Sequence, residues 1–187
     1  DGSVFDNCSI SEILEYEEEH DRINCHGIEA EQCRDCIFNA NTIFGPIWEG
    51  IMIEGDGSGS VFSNNNIDLS ISYLGISVSS GGNLLISGNT IHTEGQGISA
   101  NGTHLLISGN TIHTDGRGIS ANSADSSIVS GNTFESTTSY YAIYMPYCDD
   151  CEFSLNTIEN PNANGIEGYS SENAVYADNI LTVRYTG

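Results

Sequence analysis

One sequence feature constrains this chain more than any other: a unit of 21 to 24 residues repeats along it. The repeat is clearest in two neighbouring stretches, LLISGNTIHTEGQGISA after Asn83 and LLISGNTIHTDGRGISA after His104. Internal repetition with this period is typical of a solenoid, in which each unit forms one coil. When all units are aligned, one asparagine recurs in steps of 24, 24, 21, 22, 24 and 23 residues. The recurring residues are Asn41, Asn65, Asn89, Asn110, Asn132, Asn156 and Asn179, and Cys8 holds the same place in an opening unit.

Three apolar ranks accompany the asparagine, where a rank is the set of equivalent residues from successive coils. The residues of these ranks lie in short segments in which apolar side chains alternate with other residues, a pattern that favours strands over helices. A single coil cannot bury its own apolar face, so like residues are expected to stack at about 4.8 Å. The sequence therefore predicts an all-β fold of about seven coils with three short strands each. The ranks are Phe5, Phe38, Phe62, Ile86, Ile107, Val129, Phe153 and Tyr176; Ile10, Ile43, Ile67, Ile91, Ile112, Phe134, Ile158 and Leu181; and Ile28, Ile51, Ile76, Ile98, Ile119, Ile143 and Ile166.

The repeated asparagine is expected to lie inside the solenoid at a bend, where its amide can bond the amides of neighbouring coils. Such partners matter because a buried amide without hydrogen bonds costs free energy. The third apolar rank follows a glycine in nearly every coil, and this glycine is expected to allow a tight turn. Ala142 replaces it once, so a positive φ is not demanded in every coil.

The recurring unit resembles the right-handed parallel β-helix repeat family, the pectate-lyase-like solenoid superfamily. The matching signature is a six-residue pattern with an apolar residue at position 1, asparagine at position 4 and isoleucine or phenylalanine at position 6. A Gly-Ile pair follows it later in the coil. The pattern is clearest in ISGNTI around Asn89 and Asn110. The resemblance covers essentially the whole chain and implies a single-stranded right-handed β-helix. Because that family includes pectin-type lyases, polysaccharide epimerases, phage tailspikes and structural surface proteins, the resemblance leaves function open.

The repeat predicts one domain over residues 1–187, interrupted by an acidic loop insertion near residues 11–24. Both ends of the sequence fall within a coil, and no amphipathic helix is present to cap them. An uncapped coil exposes strand edges that pair with other chains. Two interpretations stay open: the sequence is a segment of a longer β-helix, or the open ends stack head to tail, a contact between different surfaces that need not close into a ring. The second, head-to-tail self-association, is the favoured prediction.

The chain is strongly acidic, with 26 Asp plus Glu against four arginines and no lysine, for a net charge of −22. This charge disfavours nucleic acid and anionic membranes as partners. No apolar run of 18 residues is present, so no membrane insertion is expected. The acidic insertion and the turns at Asp56, Asp149 and Asp150 make Ca²⁺ a weak candidate. Since no recognised calcium motif accompanies them, no cofactor is predicted.

Four of the six cysteines form two CxxC pairs at the same position in their coils, just before the ladder asparagine. The pairs lie five coils apart, about 24 Å at the strand spacing, so they cannot share one zinc ion. They are expected to form local staples across turns or bonds to another subunit. Cys8 and Cys25 can pair with each other, or one of them can reach Cys33, and the sequence does not decide between these. The candidate disulfide cysteines are Cys8, Cys25, Cys33, Cys36, Cys148 and Cys151.

Two features favour an extracellular location. Disulfides persist in oxidising compartments, and the sequence Asn101-Gly-Thr103 fits the N-glycosylation motif in a predicted turn. Asn101 is therefore the candidate glycosylation site, and the extracellular space or cell surface is the predicted location.

No catalytic residue can be assigned from the sequence. Enzymes of this fold need clustered acidic and basic side chains on one outer sheet, and the four arginines are scattered. His92 and His113 are expected to stack one coil apart, followed by Glu94 and Asp115, which suggests a metal or acid–base site. Equivalent residues of near-duplicate coils stack automatically, however, so an ordinary surface is the favoured interpretation.

These observations favour an extracellular structural subunit that assembles end to end into a filament, fibre or sheath, and that is not an enzyme. One alternative is a carbohydrate-binding or polysaccharide-processing β-helix. Another is a calcium-dependent surface adhesin module. The first of these alternatives makes carbohydrate a candidate partner beside a second copy of the chain.

Overall fold

A computed structural model describes residues 2–6, 9–11, 26–69, 74–136, 141–159 and 164–182. Within these ranges the regular structure comprises 23 short strands in three parallel sheets. No helix in the described part of the chain is long and apolar enough to cross a bilayer. Cys8, Cys25 and residues 12–24 of the predicted acidic insertion lie outside the described residues.

Each sheet takes one strand from each successive coil. Sheet 1 contains β1 (Val4–Asp6), β4 (Ile37–Asn39), β7 (Val61–Ser63), β10 (Leu85–Ser87), β13 (Leu106–Ser108), β16 (Ile128–Ser130), β19 (Glu152–Ser154) and β22 (Val175–Ala177). Sheet 2 contains β2 (Ser9–Ser11), β5 (Thr42–Gly45), β8 (Asn66–Leu69), β11 (Thr90–Thr93), β14 (Thr111–Thr114), β17 (Thr133–Ser136), β20 (Thr157–Glu159) and β23 (Ile180–Thr182). Sheet 3 contains β3 (His26–Glu31), β6 (Glu49–Asp56), β9 (Leu74–Ser80), β12 (Gln96–Ala100), β15 (Ile119–Ser120), β18 (Tyr141–Tyr144) and β21 (Asn164–Glu167).

The strand register stacks the predicted ranks residue on residue. Phe38 pairs with Phe62 in sheet 1, Ile91 with Ile112 in sheet 2 and Ile98 with Ile119 in sheet 3. The predicted parallel solenoid of three short strands per coil is confirmed, and the predicted number of coils is close to the observed one.

The core is the inside of the solenoid, and most of the ranked side chains in it are inaccessible to solvent. The rings of Phe38 and Phe62 stack with centroids 4.9 Å apart, which matches the spacing of the strands that carry them. Burying each such side chain stabilises the fold by roughly 1.5–3 kcal/mol. Because every coil contributes to each rank, this stabilisation is shared along the length of the molecule.

The glycine of the Gly-Ile pair serves close packing rather than a tight turn. Among the described glycines of this rank none has a positive φ. A Cβ atom added to Gly50 would lie 2.5 Å from the carbonyl oxygen of Gly75 and 2.7 Å from a methyl carbon of Ile67. The close approach of the next coil therefore favours glycine here, Ala142 being the one exception, and the expectation of a tight turn was wrong.

Left-handed backbone occurs instead at the residue before the ladder asparagine. Gly88 and Gly109 have φ values of 64° and 63°, and the non-glycine residues Asn64 and Leu155 reach 54° and 57° at equivalent positions. This residue turns the chain from sheet 1 into sheet 2. The turn places the following asparagine in the corner between these two sheets.

Candidate functional site

The structure places the seven predicted asparagines in one continuous inner column. The side-chain Nδ2 of Asn89 donates to Oδ1 of Asn110 at 2.9 Å, and the backbone N–H of Asn89 donates to the same oxygen at 3.0 Å. The Nδ2 of Asn89 also donates to the carbonyl of Phe62 in the previous coil at 3.0 Å. The same pattern joins Asn41, Asn65, Asn89, Asn110, Asn132, Asn156 and Asn179. Each buried amide is therefore satisfied, so the column has a structural role and leaves no group for chemistry.

The four described cysteines form two local disulfides, Cys33–Cys36 and Cys148–Cys151. Of the two alternatives that the sequence left open, the structure shows the staple across a turn. Both bonds lie inside the corner between sheets 3 and 1, and all four side chains are buried. In the coil between Asn110 and Asn132, Ala124 and Ser127 occupy the positions equivalent to Cys148 and Cys151, so the same corner also forms without a disulfide.

Asn101 lies in the turn that follows β12 and is partly exposed. Its side-chain oxygen accepts a hydrogen bond from the backbone N–H of Asn122 at 3.2 Å. The adjacent Gly102 has a φ of 143° and packs against the carbonyl of Gly81. The candidate glycosylation site is thus in a turn at the outside of the solenoid.

A group of aromatic side chains covers the outer face of sheet 3 near its last strands. Tyr141 and Tyr144 belong to β18, Tyr147 follows this strand, and Tyr169 comes from the next coil. Arg117, one coil earlier, lies over the ring of Tyr144 with its guanidinium carbon 3.9 Å from the centroid. These five residues are called the tyrosine surface. It combines exposed aromatic rings with one cation on an otherwise acidic chain.

The tyrosine surface is held together by contacts among its own members. The rings of Tyr147 and Tyr169 meet edge to face with centroids 5.3 Å apart, and those of Tyr144 and Tyr169 lie 6.2 Å apart. The hydroxyl oxygens of Tyr144 and Tyr169 are 3.3 Å apart. Hydrogen bonds to Tyr144 and Tyr147 raise the pKa of the Tyr169 phenol, so this hydroxyl stays protonated. The group therefore presents neutral hydroxyls between exposed rings.

Glu167 supports the edge of this surface. It lies beside Tyr144 in the register of β18 and β21. A hydrogen bond to the Glu167 carboxylate raises the pKa of the Tyr141 phenol. Tyr141 therefore donates a hydrogen bond to Glu167 and is fixed in direction, while Tyr147 and Tyr169 remain the most exposed rings of the tyrosine surface at 53% and 42%.

Comparison with protein families gives one result that covers most of the chain. A family model described as a right handed beta helix region matches residues 49–187. The chain belongs to the right-handed beta helix family. In further comparisons, neither a curated protein nor a solved structure matched the sequence. Membership in the beta helix family agrees with the resemblance of the repeat, but a shared fold does not by itself assign a functional site.

The beta helix of this chain has a second uniform surface, on the outer face of sheet 1. In four successive strands an aliphatic side chain points outward beside the buried residue, and the register stacks Val61, Leu85, Leu106 and Ile128 in a column that Glu152 continues. The parallel outer column consists of serines, as in Ser63–Ser87–Ser108–Ser130. The aliphatic column of this face offers contact area without charge, whereas the tyrosine surface combines aromatic rings with hydroxyls and a guanidinium group.

The tyrosine surface was missed by sequence reasoning. Tyr147 and Tyr169 lie outside the three apolar ranks and come from different coils, so the repeat alone gives no reason to bring them together. A compositional signal was available, because seven of the nine tyrosines fall within the last 48 residues. They are Tyr140, Tyr141, Tyr144, Tyr147, Tyr169, Tyr176 and Tyr185.

Proposed function

We propose that this beta helix is a secreted carbohydrate-binding protein, and that the tyrosine surface is its binding site. The observation that carries the proposal is the cluster of four tyrosines with Arg117 on the outer face of sheet 3. No catalytic step is assigned to it.

The chemistry of the surface suits a sugar chain. A pyranose ring has faces of C–H groups and a rim of hydroxyls, and tyrosine likewise combines an apolar ring with a polar hydroxyl. The rings of Tyr147 and Tyr169 can receive the C–H face, while their hydroxyls, held by neighbours, can exchange hydrogen bonds with the rim. Tyrosine and arginine are also the residues that most often dominate binding energy when clustered.

Two further features support a secreted protein. The Cys33–Cys36 and Cys148–Cys151 disulfides are compatible with an oxidising compartment. Asn101 carries the glycosylation motif in a turn and is partly exposed.

The test is binding of the full chain to a panel of soluble neutral and uronate polysaccharides, measured by affinity electrophoresis and calorimetry. We expect the Tyr147→Ala/Tyr169→Ala variant to lose at least about tenfold in affinity, since truncating a dominant residue costs on the order of 1.4 kcal/mol or more. Phe44→Ala is the matched control, because Phe44 is an exposed aromatic residue of sheet 2 outside the surface. Absence of binding to every member of the panel, or equal loss in the control, would overturn the proposal.

A second candidate function, end-to-end assembly, is favoured by a different observation. In one coil the core-rank residues Phe153 and Ile158 are buried, with exposed fractions of 0% and 3%. In the next coil the equivalent residues, Tyr176 of β22 and Leu181 of β23, are 49% and 54% exposed. A further coil stacked on this face would bury them and extend the three sheets. In the assembly that we propose, this coil belongs to a second copy of the chain, and repetition builds a filament.

Sedimentation velocity and electron microscopy over a range of concentrations test this assembly. We expect Leu181→Glu to abolish concentration-dependent growth, because it places a charge among the apolar ranks of the stacking face. Thr182→Glu, on the other side of the same strand, adds the same charge and is expected to assemble like the wild type. A wild-type chain that stays monomeric at high concentration would refute the assembly.

A further inference from the structure

Sheet 2 carries a column of titratable side chains on its outer face. The register of four successive strands places Asp68, His92, His113 and Glu135 directly above one another. All four side chains are about half exposed. The order along the column is therefore carboxylate, imidazole, imidazole, carboxylate.

The two imidazoles contact each other and each faces a carboxylate on its outer side. Their ring centroids are 4.7 Å apart with an interplanar angle of 88°. Nδ1 of His92 lies 3.1 Å from Oδ1 of Asp68, and Nδ1 of His113 lies 3.8 Å from Oε2 of Glu135. Both rings thus direct Nδ1 towards a carboxylate, which leaves both Nε2 atoms for another partner.

Duplication explains only half of this arrangement. His92 and His113 come from the two near-identical coils, so their stacking follows from the repeat. Asp68 and Glu135 belong to the coils on either side, whose sequences NNNIDL and GNTFES differ from the duplicated TIHT strands. The sequence had suggested Glu94 and Asp115 as the partners. The structure instead gives each Nδ1 a carboxylate from a coil outside the duplication.

We propose that His92 and His113 form a bidentate site for a late divalent transition metal, with Zn²⁺ as the best-suited ion. Imidazole nitrogen is a preferred ligand of zinc, copper and nickel, whereas calcium prefers oxygen. In metal sites a ligating histidine commonly gives its other ring N–H to a carboxylate, which fixes the tautomer and raises the basicity of the ligand nitrogen. Asp68 and Glu135 occupy that supporting position here.

The geometry allows both Nε2 atoms to reach one ion. Zinc–nitrogen distances are about 2.0–2.1 Å, and adjacent parallel strands hold the two side chains about 4.8 Å apart. Because the ring centroids are 4.7 Å apart, small changes in the side-chain torsions that keep each Nδ1 facing its carboxylate bring the two Nε2 atoms within reach of one ion. The net charge of −22 raises the local concentration of cations at the surface.

Two protein ligands leave positions in the metal's coordination shell for water or for a group on another molecule. Among the described residues no cluster of three or more histidine, cysteine, aspartate or glutamate side chains is arranged to hold a metal. With only the two imidazoles as protein ligands, the site is an open one in which the metal keeps exchangeable ligands, unlike a closed structural zinc site with four protein ligands.

Titration calorimetry of the full chain with Zn²⁺, together with NMR of the histidine Nε2 signals, tests the site. We expect saturable binding that shifts the Nε2 signals of His92 and His113 and that is lost in either His92→Ala or His113→Ala. His104→Ala is the matched control, since His104 lies in a turn outside the column, and it is expected to bind like the wild type. Asp68→Asn and Glu135→Gln are each expected to weaken binding by about 10–100-fold through loss of the supporting carboxylate.

Two outcomes of the Zn²⁺ titration would overturn the proposal. One is Zn²⁺ binding that survives both histidine substitutions, which would assign it to carboxylates elsewhere. The other is absence of binding in the wild type at neutral pH. Calcium titrated in parallel is expected to leave the Nε2 signals unshifted, and an equal response to calcium would show nonspecific attraction of cations.

Discussion

The inside and the outside of the same coils follow different rules. On sheet 3, the inward residues of β15, β18 and β21 are isoleucine in every case. The outward residues that follow them are Ser120, Tyr144 and Glu167. Each inner rank keeps one chemical type of side chain along the stack, whereas the type of side chain in an outer rank changes from one coil to the next.

This difference means that inner residues determine the stability of the fold and outer residues determine what the surface can bind. Stacked inner residues are each other's environment, so a change in one coil alters the packing or hydrogen bonding of the coils above and below. Outer residues lie outside the core ranks, so they can vary with little effect on the stacking of the core, and clusters such as the tyrosine surface can arise locally. Inner substitutions should therefore cost stability and outer substitutions should cost binding.

The largest effect is expected from the asparagine column. Asn110→Ala removes the oxygen that accepts two hydrogen bonds from Asn89 and the amide that donates to Ile86 and Asn132. Each buried group left without a partner costs about 1–3 kcal/mol, so we expect a loss of about 3–5 kcal/mol in the free energy of unfolding.

Denaturant unfolding of this variant beside Asn122→Ala measures the effect. Asn122 is an exposed asparagine of a turn, and its substitution should stay within about 0.5 kcal/mol of the wild type. Equal stability of the two variants would contradict the prediction, because it would show that a buried and an exposed asparagine contribute alike to stability.

A smaller effect is expected from the disulfide at the corner between sheets 3 and 1. Cys148→Ala/Cys151→Ser gives this coil the residues that the coil below already has at Ala124 and Ser127, so the corner should still form. Losing the cross-link of a short loop costs about 2 kcal/mol, which lowers Tm by roughly 4–8 °C for a chain of this size. Calorimetric scans with and without reductant check this difference in Tm. The part of the reductant's effect on Tm that comes from cleaving Cys148–Cys151 should be absent in the variant. An unfolded variant would show that the two coils are not interchangeable.

The smallest effect concerns Glu49, a carboxyl at the start of β6 that is only 8% exposed. Burial raises its pKa, although His26, whose Nδ1 lies 3.3 Å from the carboxylate, acts in the opposite direction. The folded chain therefore holds this proton more tightly than the unfolded chain, so its contribution to stability is present in acid and is lost as the pH rises through the raised pKa.

Glu49→Gln should thus melt above the wild type at pH 7, and the gap should close as the pH falls into the carboxyl range. Glu54→Gln, an exposed carboxyl of the same strand, controls for the removal of one negative charge. The prediction fails if both variants show the same difference from the wild type at every pH.

The inner ranks could be predicted because stacking forces equivalent positions to share one chemistry. Phe38 over Phe62 and Asn89 below Asn110 appear in the sequence as a constant period. The corner between sheets 3 and 1 was harder to predict, since its buried residues include Cys36, Ser60 and Leu84, which share no chemical type.

The outer surfaces could not be predicted from the repeat for a related reason. Nothing in the period indicates that Tyr169 reaches back to Tyr144, because the contact depends on side-chain directions in two different coils. The stacking of His92 on His113 was predicted, but their carboxylate partners were not. Asp68 and Glu135 became apparent only once the register of sheet 2 was known.

The hydrogen bonds between asparagines run in one direction, because each Nδ2 donates to the side-chain oxygen of the asparagine in the following coil. A gene that gains or loses one 21-residue segment between Asn89 and Asn110 would encode a chain whose new junction again matches donor to acceptor. Copy-number change by whole segments is therefore a mutation that this architecture tolerates. Such a change lengthens the molecule and adds new surface residues, while the fold of each coil stays the same.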